Sequence, residues 1–359
     1  RYCPFVVRSM ISMGKSISHQ PAASGSDRQS ERAFAMNRLL SPVLIVFFCL
    51  TLPVHADPRQ WQDEWPRTDF SRTSVQYSEI LSGGPPKDGI PPIDHPEFRM
   101  VGEVTGLADG EPVITFEHNG DARAYPLQVM IWHEIVNDVV GGKPVTVTYC
   151  PLCNSGIVFD RNLDGSVLDF GTTGKLRNSD LVMYDRQTES WWQQFLGEGI
   201  VGQMTGKRLA MLPSRFESYA RFRDRFPDGR VLVPANPELR DYGANPYAGY
   251  DTSHRPFLYD GDLPKGIAPL KRVVIVDGEA WSLDLLREVR QVRRDDLLIR
   301  WEPGQNSALD TTKIAKGRDV GNVSVQRRTG DVWQDAVHDL TFAFVFRAFH
   351  PQAVLNHLP

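Results

Sequence analysis

Apolar and polar residues alternate most clearly between residues 113 and 195, and this pattern predicts a chain of short strands. Val113-Ile-Thr-Phe116, the turn His118-Asn-Gly120 and Ala122-Arg-Ala-Tyr125 predict a hairpin. Pro126 stands where the first helical residue tolerates a missing N–H, so residues 127–136 are expected as a helix. Val139-Val-Gly-Gly-Lys-Pro144 reads as a turn, and residues 145–149 alternate as a strand that delivers Cys150. Beyond Cys150-Pro-Leu-Cys153, strand-like segments continue at 156–159, 166–170, 181–184 and 190–195. They are punctuated by glycines of the kind that short twisted strands and bulges require.

Later segments extend the picture. Ser214-Arg-Phe-Glu217 has the spacing of a capping box and predicts a helix running to Phe226. Residues 231–233 are a strand, and 234–266 form a long Pro/Gly/Tyr-rich excursion, a length usual for a lid or connector. Residues 270–309 repeat the order strand, turn, short strand, helix, strand seen from Val113 to Tyr149. The expected fold class is therefore α+β, with β-rich mixed sheets, a few helices and an internal duplication of that unit. The second copy carries no cysteine, so the scaffold does not need the pair in order to fold. The apolar run Leu340-Thr-Phe-Ala-Phe-Val-Phe346 is expected as a buried closing strand.

The ends read differently. Met36-Asn-Arg38, an apolar run from Leu39 to Leu52 and Val54-His55-Ala56 make the pattern of a secretory signal peptide at 36–56. The run is shorter than the ~20 residues needed to span a bilayer, and residues 1–35 read as an upstream extension. Residues 57–100 are a Pro/Gly-rich arm with Trp61 and Trp65 as anchors. The expected divisions are thus 1–56, the arm 57–100, a cysteine-bearing half 101–233, the loop 234–266 and a second half 267–359, the last three forming one continuous domain in the alternative reading.

Composition narrows the partners. The 359 residues hold 40 Lys and Arg against 44 Asp and Glu. Removing the six basic and two acidic residues of 1–56 leaves 34 against 42, a balance of −8. A mildly acidic exported chain has no electrostatic footprint for nucleic acid. Export places it in the periplasm or outside the cell, where two cysteines can pair. Of the four cysteines, only Cys150 and Cys153 lie beyond the leader.

Cys150-Pro-Leu-Cys153 lies between two strands, the geometry of a metal-binding knuckle, whereas a thioredoxin-like site opens a helix. No second CxxC follows, so histidine must complete a metal site. His133, on the helix feeding the cysteine strand, is the candidate nitrogen ligand, and Cu or Zn suits such a donor set. His133-Glu134 does not extend to a zinc-protease motif, because Asn137 occupies the second histidine position. Asn178, Asp185 and Trp192 mark a polar–aromatic cluster that would line the site or bind a small molecule. Three functions stay open: metal handling, thiol–disulfide redox chemistry, and a non-catalytic binding module with a structural disulfide. The partners implied are a metal ion or small molecule, or another exported redox or metal-handling protein, with no membrane span in the mature chain.

Several ordered blocks carry a family resemblance: Trp132-His-Glu-Ile-Val-Asn-Asp138, Thr148-Tyr-Cys-Pro-Leu-Cys153, Gly174-Lys-Leu-Arg-Asn-Ser-Asp-Leu-Val-Met-Tyr-Asp185 and Thr188-Glu-Ser-Trp-Trp-Gln193. From about Gly102 to Pro351 the chain resembles the prokaryotic domain of unknown function catalogued under number 3179. The resemblance implies an exported or membrane-tethered protein and supplies no activity. Asn154 and Glu189 depart from the family pattern, which more often has glycine at both. Asparagine also tolerates a left-handed turn.

Overall fold

The computed structural model describes residues 58–359. The signal peptide and upstream extension expected at 1–56 lie outside the described residues. The protein is mostly β, 39% strand against 15% helix. Five small sheets of three to five strands are arranged like the blades of a β-propeller, with a two-stranded ribbon besides.

This corrects the expected α+β class with a duplicated strand–helix unit. The described α-helices are α1 (Leu127–His133), α2 (Tyr219–Arg225), α3 (Leu283–Val289) and α4 (Ala343–Phe349), each of seven residues. Two turns of helix are too short to form a layer that covers a sheet. Nor is the first stretch a self-contained unit. Its hairpin Pro112–His118 and Asp121–Pro126 joins Arg215–Ser218, Arg230–Val233 and Glu97–Met100 in one sheet. Its other hairpin, Ile135–Val140 and Lys143–Cys150, pairs with Ser155–Asp160 in another. The stretch from Arg272 to Glu302 is divided between two sheets in the same way.

Three local expectations also fail. Helix α1 ends at His133, because Glu134 adopts φ 60° and ψ −31° and the chain turns into strand Ile135–Val140. The apparent capping box is strand, Arg215–Ser218 pairing antiparallel with Pro112–Thr115, and helix starts only at Tyr219. The apolar run at 340–346 splits into strand Asp339–Phe342 and helix α4. A run buried on every side satisfies either state, so periodicity cannot separate them.

The arm is packed on a second five-stranded sheet, formed by Ile80–Ser82, Phe170–Arg177, Asp180–Asp185, Trp191–Gln193 and Glu198–Val201. Trp65 meets Trp191 and Tyr184 edge-on, with ring centroids 5.3 and 4.8 Å apart, and Trp61 meets Trp191 at 5.1 Å. The arm then crosses Gly174, whose carbonyl accepts from the N–H of Gly83 at 2.8 Å. Gly174 has φ +69°, and the carbonyl of Pro85 lies where a β-carbon would stand. Only glycine fits there. Among the described residues no helix is long and apolar enough to cross a membrane.

Candidate metal centre

Two turns from different sheets build the site. Cys150 ends strand Lys143–Cys150 opposite Ser155, and Pro151 to Asn154 make the turn between them. The backbone N–H of Cys153 donates to the carbonyl of Cys150 at 3.2 Å. The second turn, Asn178-Ser179, joins strands Phe170–Arg177 and Asp180–Asp185. Both its residues have positive φ, 53° and 65°, as in the hairpin turns that follow strand twist. The turn aims the carbonyl of Ser179 at both thiols, 3.8 Å from Cys150 Sγ and 3.5 Å from Cys153 Sγ. It also brings in Asp180, the first residue of its strand. The two sulfurs and an Asp180 carboxylate oxygen all lie within 4.8 Å of one another, and all three residues are buried.

The cluster is tied down from outside. The carbonyl of Cys153 accepts from the N–H of Phe342 at 3.1 Å and from Thr341 Oγ1 at 2.8 Å. Tyr250, from the 234–266 loop, donates its hydroxyl to the carbonyl of Leu152 at 3.1 Å and accepts from the N–H of Phe257 at 3.2 Å. That loop lies over the cysteine turn. Asn154 has φ 51° and Glu189 φ 56°. Glycine reaches that region without strain, and asparagine tolerates it better than most residues.

Electrostatics here disfavours negative charge. Burial pushes the Asp180 carboxyl up to about 6, although its Oδ2 accepts from Gln193 Nε2 at 2.5 Å and from the N–H of Phe195 at 3.0 Å. Burial, with Asp180 adding, pushes Glu134 up to about 8. Asp339, bonded to Ser155, is pushed up to about 7, again by burial first. Both thiols are raised by burial; the carboxylates of Asp180 and Glu134 add to the effect at Cys150, and Cys150 itself adds to it at Cys153. Among the described residues, 14 buried side-chain polar atoms lack a hydrogen-bond partner. Six belong to residues on or beside these turns: Tyr149, Asn154, Ser179, Asp180, Gln194 and Asp339. Orphaned buried groups are rare, so their concentration marks this place as unusual. Asp180 Oδ1 is one of them.

The site residues expected from sequence are distributed as follows. Cys150 and Cys153 converge as free thiols. His133 is not part of the donor group: Nδ1 pairs with the carbonyl of Pro91 at 2.7 Å, and Nε2 with the hydroxyl of Tyr242 at 2.8 Å. Both ring nitrogens are committed elsewhere. Asp185 and Trp192 are bonded to each other, Nε1 donating to Oδ2 at 2.9 Å, and Asp185 also accepts from Thr188. That is turn and core chemistry. Asn178 serves the turn that presents Ser179 and Asp180. Sequence reasoning missed Asp180 as a member of the cluster; only the polar triplet Asn178-Ser-Asp180 hinted at it.

The fold and the site define a β-rich protein with a buried Cys-Cys-Asp cluster. Residues 87–353 match the family described as protein of unknown function (DUF3179), and the chain belongs to it. No curated protein and no solved structure matches the chain.

Proposed function

We propose that the protein is an exported metal-handling protein whose centre is Cys150 Sγ, Cys153 Sγ and the Asp180 carboxylate, and that the metal is zinc. The observation that carries this is the convergence of two thiols and a carboxylate whose Oδ1 has no other partner. One ion at bonds of about 2.0–2.3 Å needs donors grouped on this scale. A cation would also supply the charge that makes ionised Cys150, Cys153 and Asp180 favourable, and coordinating thiols are deprotonated outright. Replacing the expected histidine by a carboxylate shifts the preference from copper to zinc, which takes sulfur and carboxylate together. Three protein ligands leave a fourth position open.

The thiol–disulfide reading has less support. A reactive cysteine needs exposure and a lowered pKa, whereas both thiols are buried and raised.

The test is elemental analysis of the exported protein together with a thiol count. One zinc per chain is expected, lost in Cys150→Ser and Cys153→Ser and weakened in Asp180→Asn. Folded protein that stays metal-free in zinc-containing buffer, with both thiols titratable, overturns the proposal.

A further inference from the structure

Beside the donor cluster lies a pocket of about 40 Å³ whose lining includes Gly83, Pro85, Glu134, Leu152, Leu181 and Tyr247. Leu152 is one of the two residues between the cysteines and Leu181 follows Asp180, so chain neighbours of the three donors line the pocket, and its Glu134 lies near enough to Asp180 to feel its charge. Its walls come from five segments: the arm, the end of helix α1, the cysteine turn, the hairpin of strands Phe170–Arg177 and Asp180–Asp185, and the 234–266 loop. A water needs roughly 10–15 Å³ on this scale, so the space suits a molecule of about two to four non-hydrogen atoms.

Two charged side chains face this pocket. Lys175 is committed, its Nζ 3.2 Å from Glu64 Oε2 and 3.4 Å from the carbonyl of Thr173. Glu134 is not. It is 7% exposed, and among the described residues its carboxylate has no hydrogen-bond or ion-pair partner. The backbone does not explain a carboxylate here. Arg290 closes helix α3 in the same conformation, φ 66° and ψ −36°, yet it is exposed and its guanidinium lies over the Trp301 ring. The helix end accepts a solvated cation at one place and holds a buried, unpaired anion precursor at the other.

We infer that this pocket is the ligand chamber of the metal centre and that Glu134 is the hydrogen-bonding partner of what enters it. The ligand class is a Lewis base of about two to four non-hydrogen atoms that also hydrogen-bonds, such as azide. One end takes the open coordination position and the other meets Glu134, which as a carboxyl group can accept or donate. Leu152, Leu181 and Tyr247 set the size limit. This rests on the zinc reading above, because the open position belongs to that ion.

Cobalt(II)-substituted full chain, whose visible bands report the ligand field, is titrated with azide and with the larger imidazole while cobalt stoichiometry is measured in parallel. Saturable azide binding is expected, with imidazole about tenfold weaker or worse. Glu134→Met should keep full cobalt stoichiometry and lose about tenfold in azide affinity, the size of one hydrogen bond. Glu134→Gln, which can still hydrogen-bond, should recover most of it. Leu152→Phe, filling the pocket, should weaken azide without releasing cobalt. Loaded wild type that ignores azide, or Glu134→Met that binds azide like wild type, overturns the inference and leaves the metal site standing. Cobalt lost in Glu134→Met makes Glu134 a ligand and also overturns it. Wild type that takes up no cobalt overturns both readings.

Discussion

Ser155 donates its hydroxyl to Asp339 Oδ2 at 2.9 Å, joining the strand that leaves the cysteine turn to a strand 184 residues further on. Burial holds the Asp339 carboxyl up at about 7, against about 3.9 when unfolded. Above the unfolded value the native state binds the extra proton, so stability falls as pH rises and the loss is complete above the folded value. Between pH 6 and 8 this group should cost about 1 kcal/mol. Urea unfolding of metal-free protein across that range should show the decline, and Asp339→Asn should remove this group's share of it, leaving the part that Glu134 and Asp180 contribute. A stability that rises over the same window would refute the assignment.

His133 and Asp180 are predicted to behave oppositely. His133→Ala removes two hydrogen bonds, to Pro91 and Tyr242, and should cost about 1–3 kcal/mol while leaving zinc stoichiometry intact. Asp180→Asn should weaken zinc by at least about tenfold, the low end for lost ligands and their supports. Zinc content and thermal midpoint, measured on both variants, separate the roles.

The thiols of folded, metal-free protein should react slowly with a thiol reagent at pH 8, because both are buried and raised. Unfolding in denaturant should release both at the rate of ordinary cysteines. Rapid labelling of one thiol in the native state would instead favour redox chemistry.

Tyr250 bridges the loop and the cysteine turn through its hydroxyl. Tyr250→Phe should cost about 1 kcal/mol and speed labelling of both thiols, since the cover over the turn is loosened. Unchanged labelling would mean that access runs by another route.

How far the sequence reveals this molecule depends on the range of the interaction. Cys150 and Cys153 were legible because the strand, the turn and the next strand are contiguous and each follows local rules. Asp180 was not, because it reaches the thiols through a turn between other strands, and nothing in its neighbours distinguishes it from an ordinary turn carboxylate. His133 misled for the same reason: it sits on the helix that feeds the cysteine strand, but its ring nitrogens are taken by Pro91 and Tyr242, two partners distant in sequence. The fold class failed where pairing is non-local. Arg215–Ser218 has a helix-start signature and becomes strand because Pro112–Thr115 lies open beside it. Such tertiary override is where local propensity carries least weight.

The carbonyl of Cys153 is held by Thr341, 188 residues further along, and by Phe342 beside it. During synthesis or export, therefore, the cysteine turn emerges long before the groups that fasten it. A nascent chain offers two loose thiols, and the cysteine turn takes its final shape only once strand Asp339–Phe342 has been made and has docked against it.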